Sequence, residues 1–262
     1  MRKIDCHTHI INKNIRDAYF SRTDDIAIVM QFPRQIFSDP AAVRTVRSDP
    51  RLFLCPCIDL KRSIAPQLRR IEAHLDDWKV VGLKIYTSYQ RGSADEARMI
   101  PVYQFAERLR LTVVFHTGLC SLVLPSDQDL AGSSAVHIAK AAEAFPGVNF
   151  VAAHMDDPNE QACCRLCAEH PNLFTDVSGL FEDGYEADQD VLKARYGGAV
   201  RAAGCESRLL YGTDFCPPIG LTDIERFDAF FAEIFSEKER EAICYGNALR
   251  AFPRLAACLK EQ

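Results

Sequence analysis

The chain lacks the sequence features of membrane proteins, of small secreted disulfide-rich proteins and of nucleic-acid-binding proteins. No apolar run approaches the roughly 20 residues that a membrane helix needs. Basic residues are not in excess, since 31 Lys and Arg stand against 36 Asp and Glu, for a net charge of -5. This balance offers no electrostatic footprint for nucleic acid or an anionic membrane. The N-terminus leads directly into an apolar segment without a signal peptide pattern, so a cytoplasmic location is predicted.

Cysteine is frequent, but its spacing does not imply a disulfide framework. Among the 11 cysteines the only Cys-x-x-Cys spacing is that of Cys164 and Cys167. A chain of 262 residues buries enough core to need no disulfide framework. The densest group is Cys163, Cys164 and Cys167, followed by His170. A small metal clip on one helix face is conceivable, but we interpret these cysteines as small buried helix residues.

Eight short apolar segments rich in β-branched residues recur along the chain. They span residues 3–10, 25–32, 52–60, 80–88, 112–118, 148–155, 173–179 and 208–215. Near-continuous apolar runs of this length are typical of parallel strands that are buried on both faces. No Gly-x-Gly-x-x-Gly follows the first segment, which counts against an open doubly wound sheet that binds a dinucleotide.

The segments between the strands show helical patterns. Residues 63–78 place apolar side chains at steps of three and four, and Ser133 or Ser134 begins a helix that ends near Phe145. Further helices are predicted at 221–235, 237–245 and 248–260. Long loops are predicted at 119–132 and 180–190. Strands alternating with helices predict one (β/α)₈ TIM barrel domain over residues 1–262, with extra C-terminal helices.

The first strand carries a His-x-His pair, His7 and His9. Because side chains alternate between the faces of a strand, both imidazoles are expected on one face, and Asp5 on that same face. Neutral imidazole is a common ligand of zinc, copper, iron and nickel. The pair therefore predicts a metal-binding element, with Asp5 as an outer partner rather than a ligand.

Other candidate residues lie at the ends of later strands, where barrel enzymes carry their functional groups. They are Lys84 in the fourth strand, His116 in the fifth, His154 in the sixth and Asp214 in the eighth. Four of the seven histidines thus lie at the predicted mouth of the barrel. The other three, His74, His137 and His170, fall in predicted helices and are interpreted as ordinary helix residues.

The ordered set of motifs at these strand ends resembles the amidohydrolase superfamily, specifically its amidohydrolase-2 branch. The motifs are Asp-Cys-His-Thr-His at 5–9, Gly-Leu-Lys-Ile-Tyr at 82–86, Phe-His-Thr-Gly at 115–118, Ala-His-Met at 153–155, Tyr-Gly-Thr-Asp-Phe at 211–215 and Gly-Asn-Ala-Leu-Arg-Ala-Phe at 246–252. The branch contains hydrolases, lactonases and nonoxidative decarboxylases. Each motif alone is weak, whereas their order along the whole chain is specific.

The resemblance implies a metal centre and an acid–base residue. His7, His9, His116 and Asp214 would hold one divalent metal ion, zinc by default, with manganese, iron or nickel as alternatives. His154 would act as the general acid or base, or would bind a second metal. Asp214 would also carry a catalytic role as a proton shuttle.

Lys84 is open to three interpretations. It could be carboxylated and bridge two metals, as in binuclear relatives. It could remain a cation that binds a substrate carboxylate, with Tyr86 beside it. It could also form a salt bridge inside the barrel mouth. Arg91 and Tyr89, just after the fourth strand, are the best-placed candidates for binding an anionic substrate.

Hydrolysis is the preferred functional interpretation. The expected enzyme is a metal-dependent hydrolase in which activated water attacks an amide, ester or lactone carbonyl of a small, carboxylate-bearing substrate. The first alternative is a metal-dependent nonoxidative decarboxylase of an unsaturated or aromatic acid, since both reactions use the same ligands. The second is a non-catalytic metal-binding relative. The expected partner is a small molecule, and homo-oligomerisation remains open.

Overall fold

The computed structural model describes residues 1–34, 41–118, 129–184 and 188–260. Eight strands run parallel to one another in chain order. They are β1 Ile4–Thr8, β2 Ile26–Met30, β3 Leu52–Cys55, β4 Gly82–Ile85, β5 Thr112–Phe115, β6 Phe150–Ala152, β7 Leu173–Asp176 and β8 Leu209–Leu210. Each lies within one of the eight predicted segments, so the predicted strand order is confirmed.

The strands form two sheets that are joined at both junctions. One sheet contains β1 to β3 and the other β4 to β8. Parallel bridges pair Leu54 with Val80 and Cys57 with Lys84 at the first junction. At the second junction Thr8 pairs with Phe215 just beyond β8. The strands therefore follow one another around the (β/α)₈ TIM barrel that the sequence predicts.

Strand β1 contains an irregularity that strict alternation does not predict. Asp5 pairs with Ala27 and Thr8 with Val29, so β1 advances three residues while β2 advances two. This bulge places Asp5 on the same face as Thr8, opposite to the face of His7 and His9. The expectation that Asp5 shares the face of the two histidines is therefore wrong.

Helices cover the strands and complete the C-terminus. They are α1 Lys13–Phe20, α2 Ala42–Arg47, α3 Ile64–Ala73, α4 Thr87–Gln90, α5 Ile100–Leu109, α6 Ala135–Ala144, α7 Glu160–Glu169, α8 Gln189–Leu192, α9 Gly198–Ala203, α10 Ile224–Ile234, α11 Glu237–Glu241, α12 Asn247–Ala251 and α13 Pro253–Cys258. Ser134 caps α6, as one of the two predicted starts. Helix α3 ends before Trp78, whose ring stacks on His74 instead. Most of the predicted loop at 119–132, and part of that at 180–190, lie outside the described residues.

Apolar residues fill the barrel, and the C-terminal helices contribute to the same core. Strand residues such as Ile28, Phe53 and Val114 belong to one buried cluster with Phe252 and Leu255 of the C-terminal region. The cysteines of α7 are likewise buried within the larger core between strands and helices, which agrees with their interpretation as packing residues. None of the helices seen in the described ranges is both long and apolar enough to cross a membrane.

Asn247 anchors the C-terminal helices to β8 and gives a stability prediction. Its buried amide donates to the carbonyl oxygens of Glu206 at 2.8 Å and Leu209 at 2.6 Å. In Asn247→Ala, these carbonyls lose their donor, and we expect a loss of about 1–3 kcal/mol in the free energy of unfolding, measured by urea denaturation. Asn247→Asp, which has the same shape but cannot donate when ionised, should lose at least as much. An unchanged unfolding midpoint for both variants would contradict this role.

Candidate metal centre

The candidate site lies at the carboxyl ends of the strands, where the predicted residues meet a further carboxylate. These residues are His7 in β1, His9 after it, Lys84 in β4, His116 after β5, His154 after β6, Asp176 in β7 and Asp214 after β8. All are buried except His154, which is partly exposed. One end of the barrel thus collects four histidines, two aspartates and a lysine.

His7, His9 and Asp214 form one of two groups in which one potential ligand atom from each residue lies within 4.8 Å of the others; the second group is His7, His154 and Asp176. His9 Nδ1 lies 2.8 Å from the carbonyl oxygen of Met30, which can only accept, so this nitrogen carries the proton. In the neutral ring, Nε2 then presents a lone pair to Asp214 Oδ1 at 3.1 Å. Two acceptors at this distance require a cation or a proton between them.

Asp214 fits a metal ion for a second reason. Its Oδ1 is buried and receives no hydrogen bond from any residue in the described part of the chain. Burial by itself would raise the pKa of Asp214, but His7 and His9 outweigh burial and hold this pKa well below its usual range. The carboxylate is therefore ionised and aimed at the two imidazoles. Nitrogen and oxygen donors of this kind suit zinc and several other divalent metals.

His7 is prepared as a neutral ligand. Burial first, and then the nearby Lys84 cation, lower the pKa of His7 to about 4. Its Nδ1 lies 3.1 Å from Asp176 Oδ2, and its Nε2 lies 3.5 Å from Asp214 Oδ1. The ring thus has a carboxylate on each side, with Nε2 directed toward the group that fits a metal.

Lys84 is fully buried beside these ligands. Its Nζ lies 3.2 Å from His7 Nε2 and 5.0 Å from the centroid of the Tyr86 ring. Burial lowers the pKa of this ammonium to about 8. No carboxylate oxygen of the described residues lies within 4.0 Å of Lys84 Nζ, so this ammonium forms no salt bridge with them. The geometry thus gives no support to the salt-bridge interpretation of Lys84.

His116 contacts His154 and does not belong to the group formed by His7, His9 and Asp214. His116 Nδ1 lies 3.1 Å from His154 Nε2, while His116 Nε2 is buried without a hydrogen-bonding partner among the described residues. Burial first, followed by the proximity of His154, holds the pKa of His116 well below its ordinary value. His116 is therefore a neutral imidazole with a free nitrogen, although that nitrogen lies outside the 4.8 Å group.

Two of the predicted substrate-binding residues differ in their placement. Tyr86 is buried, and its ring faces that of His116 with centroids 5.7 Å apart. Arg91 is exposed at the end of α4, where its carbonyl oxygen accepts a hydrogen bond from Arg98. The structure thus brings Tyr86 to the histidines but leaves the Arg91 side chain in solvent.

Three arginines that the sequence analysis did not single out line a cavity that Phe32 connects to His9. Phe32 stacks on His9 with ring centroids 3.9 Å apart, and it also lines a cavity of about 270 Å³. The cavity has apolar lining residues such as Trp78, and it also contains Arg34, Arg62 and Arg70. These residues follow β2 and β3 or lie in α3, which gives the cavity basic groups near the metal ligands.

Asp176 and Ser178 are the site residues that the sequence analysis missed. Asp176 ends β7 in the sequence Thr-Asp-Val-Ser, and its carboxylate is bound to His7 and to the backbone of His154. A carboxylate at the carboxyl end of a barrel strand satisfies the same rule that selected His116 and Asp214. Applying that rule to the seventh strand would therefore have found it.

Fold and site together define a (β/α)₈ barrel with a candidate metal-binding group at its carboxyl-terminal mouth. The sequence profile of the amidohydrolase-2 family, described as amidohydrolase, matches residues 21–254, which is most of the chain. The chain belongs to this family. A search among curated proteins found no significant match.

Solved structures with the same fold include enzymes of two kinds. A probable 2-pyrone-4,6-dicarboxylic acid hydrolase from Acinetobacter baumannii, with citric acid bound, is 15% identical over 97% of this chain and 100% of its own, with a TM-score of 0.69. A 2,6-dihydroxybenzoate decarboxylase from Rhizobium is 15% identical over 97% and 99%, with a TM-score of 0.65. An amidohydrolase from Burkholderia multivorans with bound zinc is 16% identical over 97% and 99%, with a TM-score of 0.69.

The ligand group predicts which substitutions remove metal. We expect His7→Ala and Asp214→Ala each to abolish stoichiometric zinc binding, because each deletes one of the converging acceptor atoms. His137→Ala is the matched control, since His137 lies on the outer helix α6 and pairs there with Asp95, which precedes α5. Elemental analysis after loading with zinc, supported by titration calorimetry, measures the effect. Full metal content in both site variants would show that the assignment is wrong.

Proposed function

We propose that this protein is a metal-dependent hydrolase that cleaves an amide, ester or lactone bond in a small, carboxylate-bearing substrate. The observation that carries the proposal is the buried group of His7, His9 and Asp214, in which Asp214 Oδ1 faces both imidazoles and receives no hydrogen bond from the described residues. Membership of the amidohydrolase-2 family supports the same class of chemistry.

These three residues would hold the metal ion, with His116 as a fourth ligand. When bound, a divalent ion supplies Lewis acidity that lowers the pKa of a water and polarises a carbonyl group. The fully buried strand residues around the ligands exclude solvent from the far side of the group. Zinc is the default ion, because imidazole and carboxylate ligands suit it.

His154 would handle the proton. Its Nδ1 lies 3.0 Å from the carbonyl oxygen of Ser178, an acceptor, so the neutral ring carries its proton on Nδ1 and a lone pair on Nε2. Nε2 is therefore the atom that takes a proton from the attacking water and later returns it to the leaving group. In this structure Nε2 accepts the Nδ1–H of His116 at 3.1 Å, which leaves His116 with its lone pair on Nε2, so this hydrogen bond must be exchanged for one to water before the proton transfer.

Positive charge near the ligands supports a substrate with a carboxylate. Lys84 is buried beside His7 without a carboxylate partner among the described residues, and we propose that it remains a cation that binds the substrate. The cavity behind Phe32 adds the guanidinium groups of Arg34, Arg62 and Arg70 to an apolar lining. A planar acid with an apolar body matches this combination of groups.

A substrate screen tests the proposed reaction class. Zinc-loaded protein would be incubated with lactones, esters and amides that carry a carboxylate, and with unsaturated and aromatic acids. Ring opening or bond cleavage without release of carbon dioxide supports hydrolysis. Release of carbon dioxide from an acid, with no hydrolysis of any lactone, ester or amide, would replace the proposal by decarboxylation. Full metal occupancy without turnover of any substrate would favour a non-catalytic relative.

The assigned role of His154 predicts a separation between activity and metal binding. We expect His154→Asn to keep the fold and the metal but to lower kcat by about 10²–10⁴-fold, because a positioned acid–base group is lost. Zinc content and kcat are measured on the same preparation. Loss of one metal equivalent together with activity would instead make His154 a ligand of a second metal. Near-normal turnover would show that His154 only packs in the mouth.

The two arginine positions predict different effects on substrate binding. We expect Arg62→Gln to raise KM for a carboxylate substrate by about tenfold with little change in kcat. The reason is that Arg62 lines the cavity and makes no side-chain hydrogen bond or ion pair within the described ranges. A charge-assisted hydrogen bond of about 1.5 kcal/mol accounts for that factor. Arg91→Gln is the matched control. A larger increase in KM for Arg91→Gln than for Arg62→Gln would place the contact with the substrate carboxylate at Arg91 instead of in the cavity.

A further inference from the structure

Asp176 binds two histidines of the site at once. Its carboxylate is almost completely buried, and Oδ2 lies 3.1 Å from His7 Nδ1. The other oxygen, Oδ1, accepts hydrogen bonds from the backbone N–H of His154 at 3.0 Å and of Ser178 at 3.1 Å. Oδ1 also accepts the hydroxyl proton of Ser178 at 2.5 Å. Every contact of this carboxylate is therefore made with a donor.

These contacts decide where His7 carries its proton. An ionised carboxylate can only accept, so His7 Nδ1 is the protonated nitrogen. In the neutral ring, Nε2 is then left with its lone pair, and this is the atom that faces Asp214 Oδ1 at 3.5 Å. The opposite tautomer would place a hydrogen atom where the metal ion is proposed to bind.

Ser178 extends the same constraint to His154. The single hydroxyl proton of Ser178 goes to Asp176, so Oγ faces His154 Nδ1 as an acceptor at 2.8 Å. The carbonyl oxygen of Ser178 accepts from the same nitrogen at 3.0 Å. His154 therefore also carries its proton on Nδ1, which leaves Nε2 as a base.

We infer that Asp176 is a positioning residue that fixes the Nδ1–H tautomer of His7 directly. It also supports that of His154, which the backbone carbonyl of Ser178 fixes as well, by taking the hydroxyl proton of Ser178. This inference rests on the proposed function in that it gives His7 the role of a ligand and His154 the role of a base. Carboxylates that orient metal-binding imidazoles typically contribute 10–100-fold to metal affinity or activity. Asp176 differs from a simple packing residue because its effect depends on accepting hydrogen bonds with both oxygens.

Asp176→Asn tests the inference, because it keeps the shape of the side chain but replaces one acceptor by a donor. If the amide nitrogen faces His7, then His7 must move its proton to Nε2. If it faces the other way, it meets the backbone N–H groups of His154 and Ser178. We expect the Kd for zinc to rise by about 10–100-fold, as measured by competition with a chelator. Ser178→Ala is the control. It removes the oxygen that lies 3.1 Å from His7 Nδ1 and 2.8 Å from His154 Nδ1, but Asp176 still accepts from His7 and the backbone carbonyl of residue 178 still accepts from His154.

Nitrogen-15 NMR of the histidine rings in the full chain gives a readout that needs neither substrate nor turnover. In the wild type, we expect the chemical shifts of His7 and His154 to show protonated Nδ1, and in Asp176→Asn the His7 signal to change to protonated Nε2. Unchanged zinc affinity and unchanged tautomers in a folded Asp176→Asn protein would overturn the inference. If this variant does not fold, the wild-type spectrum decides, because protonated Nε2 on His7 would also overturn it.

The spectrum separates this inference from the proposed function. A wild-type protein that shows the expected tautomers but hydrolyses no substrate would leave the role of Asp176 intact and remove the assigned reaction. A hydrolase with protonated Nε2 on metal-free His7 would keep the reaction and remove the role of Asp176.

Discussion

The metal-binding group depends on the junction between β1 and the segment after β8. Asp214 N–H donates to the carbonyl oxygen of His7 at 2.8 Å, and His9 N–H donates to that of Phe215 at 2.9 Å. Buried Asp5 strengthens this junction, because its carboxylate accepts from the backbone N–H of His7 and from both N–H and Oγ1 of Thr213. Strand β1 and the segment after β8 thereby place the three proposed ligands on one short stretch of barrel wall.

One principle orders the imidazoles around this junction. A histidine that binds a metal through one nitrogen almost always donates the N–H of its other nitrogen to an acceptor, which orients the ring. The carbonyl oxygen of Met30 does this for His9, and the carboxylate of Asp176 does it for His7. The outer acceptors thus set the direction of the lone pairs of His7 and His9, and burial, which lowers the pKa of His7 to about 4, keeps the ring of His7 neutral.

Periodicity predicted the strands and their order, because burial on both faces produces apolar runs that a single sequence displays. It also predicted which strand ends carry His116, His154 and Asp214. The bulge in β1 could not be read in this way, since it arises from pairing with β2 and leaves no mark in Asp-Cys-His-Thr-His. The cavity arginines were missed for a similar reason, because α3 joins the mouth only after the chain has folded.

The backbone conformation of His154 and Asp214 is a separate observation that also distinguishes these two residues. His154 and Asp214 both have positive φ angles, 62° and 61°, which residues other than glycine adopt rarely and at a cost of order 1–3 kcal/mol. Hydrogen bonds hold both turns, since His154 N–H donates to Asp176 and Asp214 N–H donates to His7. The fold therefore stabilises two strained turns, from which the side chains of the proposed base and of one proposed ligand leave the ends of β6 and β8. Strained backbone at these two positions is expected if the barrel loses some local stability in order to direct functional side chains into the site.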